Sequence, residues 1–180
     1  MSLRFPQPSR ERDPNPLDRQ QLQALALAYV GRYATSRAKL ARYLRRKLAL
    51  QGWNGEEMPP VDEVVERCAE LGYVDDAGFA SARGASLARR GYGERRVAET
   101  LRAAGIEDDA AAPAREAARE GALAAALAYA RRRGIGPFAE RAADPQSRQR
   151  AIARLMRAGH SPAIARRVAS ASPGALLEDE

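Results

Sequence analysis

The sequence has very little of several residue types that often carry chemistry. It contains one cysteine, one histidine and one tryptophan in 180 residues. With Cys68 alone, an internal disulfide and a thiolate zinc site are both excluded. No apolar run approaches the roughly 18 residues that a membrane span requires, and the first twenty residues lack the apolar stretch of a secretory signal. We therefore predict a cytoplasmic protein without membrane association.

A pattern typical of β-strands is also missing. Aromatic residues make up only 6% of the chain, and no segment alternates apolar with polar residues. Apolar residues, mostly Ala and Leu, instead recur at spacings of three and four, which is typical of amphipathic helices. The sequence therefore predicts an all-α fold.

Helix patterns recur along the chain in a fixed order. Ser36, Leu40 and Leu44 have counterparts 57 residues later in Gly93, Val97 and Leu101, and LMRAGH at 155–160 matches LRAAGI at 101–106. This periodicity predicts three tandem three-helix repeats in an elongated array. We define unit one as residues 19–73, unit two as 74–118 and unit three as 119–170. We predict a disordered tail at 1–18, where four prolines occur, and a loose C-terminal tail at 171–180.

Two glycine-rich turns occupy the same place in units two and three. Gly91-Tyr92-Gly93 and Gly134-Ile135-Gly136 each follow a run of arginines. The second matches a dinucleotide-binding pattern, but that pattern requires a preceding strand, so we interpret both as helix-to-helix turns. Tyr33 and Tyr92 at such turns either fill the junction or stack on nucleic-acid bases, and packing is the favoured interpretation.

Candidate catalytic groups have structural interpretations. Asp75 and Asp76 precede an apolar run, where aspartates cap helices. Cys68 falls on an apolar helix face, and His160 follows a glycine at a helix end, where a positively inclined side chain meets exposed carbonyls. The sequence places no nucleophile beside a base. We therefore predict no enzyme activity, no cofactor and no metal site.

Charge is the strongest functional signal. The formal net charge is +7 and the pI is about 10.1, which favours an anionic partner. Basic residues concentrate on particular helices, whereas 56–76 is rich in acidic residues. Either acidic protein or phosphate fits such a basic face. The predicted partner-binding residues are Arg32, Arg37, Lys39, Arg42, Arg46, Lys47, Arg83, Arg89, Arg90, Arg95, Arg96, Arg131, Arg132 and Arg133.

Several of these motifs resemble those of the RecX family. They are YATSR at 33–37, GYVDDAGFA at 72–80, ARRGYGERRVAETLRAAGI at 88–106, and ARRRGIGPF at 130–138 followed by RAGH at 157–160. The resemblance covers about 22–168. A long connection at 53–60, rich in Gly and Pro, and the use of arginine for many lysines depart from the family pattern.

The resemblance implies a curved array that lies in the groove of the RecA nucleoprotein filament. It implies a regulator that inhibits ATP hydrolysis and strand exchange by RecA and so modulates recombination, DNA repair and the SOS response. DNA would be contacted directly or through the filament, and we predict a monomer. The alternative is an independent nucleic-acid-binding helical repeat protein whose second helices read duplex DNA as helix-turn-helix modules do.

Overall fold

The computed structural model describes residues 16–178, and within them the chain is all-helical. In this described range nine α-helices and one 3₁₀ turn follow one another, and the one β-type feature there is an isolated bridge between Leu17 and Trp53. The helices are α1 Arg19–Val30, α2 Arg37–Gln51, α3 Val61–Glu70, α4 Asp76–Arg89, α5 Glu94–Ala103, α6 Asp108–Glu120, α7 Ala122–Arg131, α8 Pro145–Arg157 and α9 Pro162–Ser170; the 3₁₀ turn is Gly136–Phe138.

Five of the helices in residues 16–178 begin at a side chain that caps them. Asp18, Ser36, Asp75 and Ser161 each accept a hydrogen bond from a backbone N–H in the first turn of α1, α2, α4 and α9. These bonds satisfy amides that have no partner inside a helix. The capping role predicted for Asp75 is confirmed.

Buried residues form three separate clusters, one for each successive group of three helices. The first lies between α1, α2 and α3, the second between α4, α5 and α6, and the third between α7, α8 and α9. Their centres include Leu40 and Leu44, Val97 and Leu101, and Leu155, all 0% exposed. Because α6 continues to Glu120, the second group of helices ends two residues beyond the predicted bound of unit two.

The units meet through hydrogen bonds to backbone carbonyls at the ends of their second helices. Ser36, at the start of α2, donates a hydrogen bond from Oγ to the carbonyl oxygen of Ala104, just after α5, at 2.7 Å. Gly93, at the start of α5, donates from its N–H to the carbonyl oxygen of Ala158, just after α8, at 3.0 Å. In both junctions the positive end of one helix dipole meets the negative end of the next, so α8, α5 and α2 follow one another end to end.

The N-terminal boundary of unit one differs from the prediction. Leu17, which we assigned to a disordered tail at 1–18, is 4% exposed. Its N–H donates to the carbonyl oxygen of Gly52 and its carbonyl accepts from the N–H of Asn54. Leu17 therefore belongs to unit one, because it covers the end of α2; the remainder of the predicted tail, 1–15, lies outside the described residues.

The C-terminal boundary differs in a similar way. Gly174 donates from its N–H to the carbonyl oxygen of Pro137 at 2.8 Å, and Leu177 packs against the third cluster. The segment 171–178, predicted as a loose tail, is therefore attached to unit three. Residues 179–180 are outside the described range.

Of the helices within 16–178, none combines the length and apolar character needed to span a membrane.

Candidate partner-binding surface

The basic residues of helix α2 lie on two sides of the helix, and those on one side are paired with carboxylates. Arg37 pairs with Glu66 at 2.8 Å and Arg45 pairs with Asp62 at 2.7 Å, so both arginines are directed at the acidic helix α3. Lys39, Arg42 and Arg46 are spaced by three and four and therefore share another side of α2. Within residues 16–178 none of these three forms an ion pair with a carboxylate. Their charge is therefore available to a partner.

A cluster of like charges lies where units one and two meet. The Lys39 ammonium lies over the ring of Phe79, 4.7 Å from its centroid. Burial lowers the pKa of Lys39, and the nearby positive charges of Arg83 and Arg42 lower it further. Three of the predicted surface residues, from α2 and α4, are therefore brought together by the fold without a neutralising carboxylate.

A first cationic and aromatic cleft opens in unit one, between α1 and α2. It has a volume of about 350 Å³ and is lined by Ala28, Tyr29, Arg32, Tyr33, Tyr43 and Arg46. The rings of Tyr29 and Tyr43 stack with centroids 4.2 Å apart, and the Arg46 guanidinium lies 5.9 Å from the centroid of Tyr43. The Tyr33 ring lies 5.2 Å from that of Tyr29 but is 58% exposed, so Tyr33 fills the junction only in part.

A second cleft of this kind lies where units two and three meet. It has a volume of about 400 Å³ and is lined by Tyr92, Tyr129, Arg133, Arg154, Arg157 and Ala158. The Arg133 guanidinium lies 5.5 Å from the centroid of Tyr129. Tyr92 packs against the second hydrophobic cluster, so the packing prediction is confirmed at this position.

Sequence reasoning missed Arg154 and Arg157 as members of this surface. Both are on α8, at a spacing of three, and both are exposed. The sequence did contain a signal for these two arginines. They lie in a basic stretch of unit three that aligns with α5, and α5 aligns with the basic helix α2. The aromatic members Tyr43, Phe79 and Tyr129 were also missed, since the prediction selected residues by their positive charge.

Four predicted surface residues already make polar contacts within the chain. Arg37 is paired with Glu66, Arg96 lies 3.6 Å from Glu99, Arg42 donates to the carbonyl oxygen of Ala103 at 3.4 Å, and Arg132 donates to the carbonyl oxygen of Arg90. The others form no ion pair within the described part of the chain, and apart from the half-buried Lys39 and Lys47 they are exposed. These others are Arg32, Lys39, Arg46, Lys47, Arg83, Arg89, Arg90, Arg95, Arg131 and Arg133. Whether they bind a partner stays a prediction.

His160 is a structural residue of the junction between units two and three. It is 2% exposed, and its Nε2 lies 3.0 Å from the carbonyl oxygen of Gly91. Because a carbonyl can only accept, Nε2 carries the proton in this contact, while the buried Nδ1 has no hydrogen-bond partner in the described structure. Burial lowers the pKa of His160, so the imidazole is neutral near pH 7 and not positively charged as we expected from its position.

The candidate catalytic groups are used for folding. Asp75 caps α4, and a carboxylate oxygen of Asp76 accepts a hydrogen bond from the backbone N–H of Arg37 at 2.9 Å, across the junction of units one and two. Cys68 is 4% exposed in the first cluster, and burial raises the pKa of its thiol. Between residues 16 and 178, His, Cys, Asp and Glu side chains do not assemble into groups of three or more that could hold a metal ion.

Comparison with known proteins identifies the family. The chain is 31% identical over 166 residues to the regulatory protein RecX of Myxococcus xanthus, covering 84% of this chain and 86% of that protein. The chain belongs to the RecX family. It is also 36% identical over 108 residues to the regulatory protein RecX of a Mycobacterium species, covering 58% of this chain and 57% of that one. No family model matches the chain.

A crystal structure supports the fold. The RecX of Lactobacillus salivarius superimposes with a TM-score of 0.60 at 17% sequence identity, covering 83% of this chain and 92% of that structure. An all-helical RecX fold is therefore confirmed for this chain. At this level of identity the likeness concerns the fold alone.

Proposed function

We propose that the chain binds the RecA nucleoprotein filament and inhibits its ATP hydrolysis and strand exchange, and so regulates recombination and DNA repair in the cytoplasm. The observation that carries the proposal is the relationship along most of the chain to a protein named regulatory protein RecX. The proposed role is regulatory and not enzymatic.

The distribution of free cations supports binding to a long partner. Cations without an ion pair occur in all three units, for example Arg46 in unit one, Arg83 in unit two and Arg133 in unit three. A filament presents the same surface repeatedly, so several weak contacts can form at once and raise the overall affinity. Exposed charges also accelerate association with an oppositely charged surface.

The test measures DNA-dependent ATP hydrolysis by RecA with increasing amounts of this protein. We expect suppression well below one molecule per RecA subunit, because one bound chain affects several subunits of a filament. Replacing Arg42 and Arg46 by Glu removes suppression. A matched control, in which Arg102 and Arg166 outside the candidate surface are replaced by Glu, changes the net charge equally and retains suppression. Unchanged hydrolysis with the unaltered protein contradicts the proposal.

The alternative function is independent binding to duplex DNA. It is favoured by the exposed cations on the second helices, such as Arg42 on α2, Arg95 on α5 and Arg154 on α8. If about five phosphates are contacted, the logarithm of affinity for naked duplex falls with the logarithm of salt concentration at a slope of about −4 to −5. Weak binding to naked duplex together with suppression of hydrolysis supports the filament instead.

A further inference from the structure

Most of the residues that line the two cationic and aromatic clefts occupy equivalent positions in units one and three, and Tyr92 of unit two adds to the second cleft. The sequence alignment that pairs Ser36 with Gly93 also pairs helix α1 of unit one with helix α4 of unit two. The alignment of the turn glycines Gly91 and Gly134 pairs α4 with helix α7 of unit three. Along the second helices, α2 aligns with α5 and α5 with α8. In this alignment, four lining residues of one cleft correspond to four of the other. The pairs are Tyr29 and Tyr129, Tyr33 and Arg133, Tyr43 and Arg154, and Arg46 and Arg157.

Unit two has an arginine or a tyrosine at only one of these four positions. The residues at the positions of Tyr29, Tyr33, Tyr43 and Arg46 are Ser86, Arg90, Thr100 and Ala103. Arg90 lies over Tyr92, 5.4 Å from the ring centroid, and the Thr100 hydroxyl donates to the carbonyl oxygen of Arg96 in its own helix. The arginines and tyrosines at the other three positions of units one and three are therefore not required by the repeat architecture, which unit two builds without them.

The geometry of each cleft suits an oxyanion beside a planar group. In unit one Arg46 lies over Tyr43, and in unit three Arg133 lies over Tyr129. A guanidinium held against a ring keeps its N–H donors free at its edge, where they can bind phosphate oxygens in pairs. No acidic side chain lines either cleft in the part of the chain that the structure describes.

We propose that the clefts of units one and three each bind one nucleotide, with the phosphate on the arginines and the base against a tyrosine ring. The inference goes beyond filament binding, since it assigns the chain a nucleotide ligand of its own at two sites. The aromatic members favour a nucleotide over a simple anion, because stacking on a ring requires a planar ligand group. The volumes of about 350 and 400 Å³ lie at the small end of the range for ligand pockets.

The nucleotide has two possible sources with the same chemistry, a free nucleoside phosphate and a residue of a single strand. The experiment uses ATP, an oligonucleotide of about twelve thymidines, and an abasic oligomer of the same length, each measured with the full chain and without any recombinase. Fluorescence anisotropy of labelled probes gives the affinities. Binding of ATP identifies the free nucleotide as a ligand, whereas binding of the oligonucleotide alone identifies the single strand.

The decisive variant replaces Arg46 and Arg157, one equivalent residue from each cleft, by Ala. We expect binding of the preferred probe to weaken about tenfold more than in a control with Arg102 and Arg166 replaced by Ala, which removes the same charge elsewhere. Thymidine oligomers should bind better than abasic ones, because only the former have bases to stack.

Three results overturn the inference: equal losses in the two double variants, equal binding of the thymidine and abasic oligomers without binding of ATP, or no binding of any probe by the unaltered chain. Circular dichroism checks that both variants are folded. Because RecA is absent, failure here leaves the proposed inhibition of the filament to be judged by its own hydrolysis assay. If the hydrolysis assay shows no inhibition, the proposal that the two clefts bind nucleotides is not affected.

Discussion

Ser36 and Ala104 are 68 residues apart in the chain, yet the Ser36 hydroxyl donates a 2.7 Å hydrogen bond to the Ala104 carbonyl oxygen. The same hydroxyl oxygen accepts from the N–H of Lys39 and so caps α2. Ser36 is completely buried. One side chain thus begins a helix and also joins units one and two, which couples local helix formation to the assembly of the array.

Replacing Ser36 by Ala should therefore cost more than the loss of an ordinary cap. We expect a loss of about 2 to 3 kcal/mol in the free energy of unfolding, since a cap is removed and the Ala104 carbonyl is left buried without this partner. Ser161 caps α9 from an exposed position, and its replacement by Ala should cost about 1 kcal/mol. Urea denaturation measures both, and equal losses would show that the inter-unit bond contributes nothing.

Replacing Gly93 by Ala should disrupt the junction of units two and three. The backbone of Gly93 is extended, with φ −81°, so alanine is locally acceptable, but its Cβ would overlap the Gly159 carbonyl. Gly72 offers the opposite case, with φ 75° and open space around its Cβ position. Alanine there should cost only about 1 kcal/mol of left-handed backbone strain. We expect the Gly93 variant to lose more stability in thermal unfolding; the reverse order would contradict this packing.

The stability of the chain should fall in mild acid because of His160. Burial lowers its pKa in the folded state below the value of about 6.5 in an unfolded chain, so the unfolded state binds the proton more readily. The contribution of His160 to the free energy of unfolding is therefore fully present above about pH 6.5 and decreases as the pH falls below that value. Replacing His160 by Gln removes this ionisation.

Urea titrations of both proteins between about pH 7 and pH 5 check the sign. The unaltered chain should lose up to about 1.4 kcal/mol more per pH unit than the glutamine variant, because one additional proton is taken up on unfolding. Carboxylates contribute equally to the two curves. Parallel curves would mean that His160 is protonated as readily in the folded state as in the unfolded one.

Replacing Arg83 by Gln should stabilise the fold and weaken partner binding. The positive charge of Arg83 is one of the causes of the lowered pKa of Lys39, so its removal relieves repulsion at the junction of units one and two. The gain should be a few tenths of a kcal/mol, as for other exposed charges. Thermal unfolding and suppression of RecA hydrolysis test the two effects. A lower unfolding temperature of the Gln variant than of the unaltered chain would show that the Arg83 side chain stabilises the folded protein.

Much of the architecture could be predicted because it depends on short-range patterns. Ser36, Asp75 and Ser161 cap helices through bonds to residues three positions away, and Leu40 and Leu44 are buried because their spacing puts them on one helix face. The repeat spacing predicted the order of the helices for the same reason.

The candidate surface was predicted less completely. Basic residues could be counted, but whether Arg37 is paired with Glu66 or free depends on the distance between two helices. Arg154 was not selected, because its neighbour Tyr129 lies on another helix and across a long connection. Leu17 was assigned to a tail, since its partners Gly52 and Asn54 are distant in sequence.

Amino-acid order alone was sufficient for helix content, caps, the apolar faces and the positive charge, because each arises within one or two turns of helix. The packing of the units decided which arginines remain unpaired, where tyrosines and arginines meet in clefts, and that His160 is buried and neutral. Those properties depend on distances and desolvation between groups remote in the chain, and these distances exist only after the helices have packed.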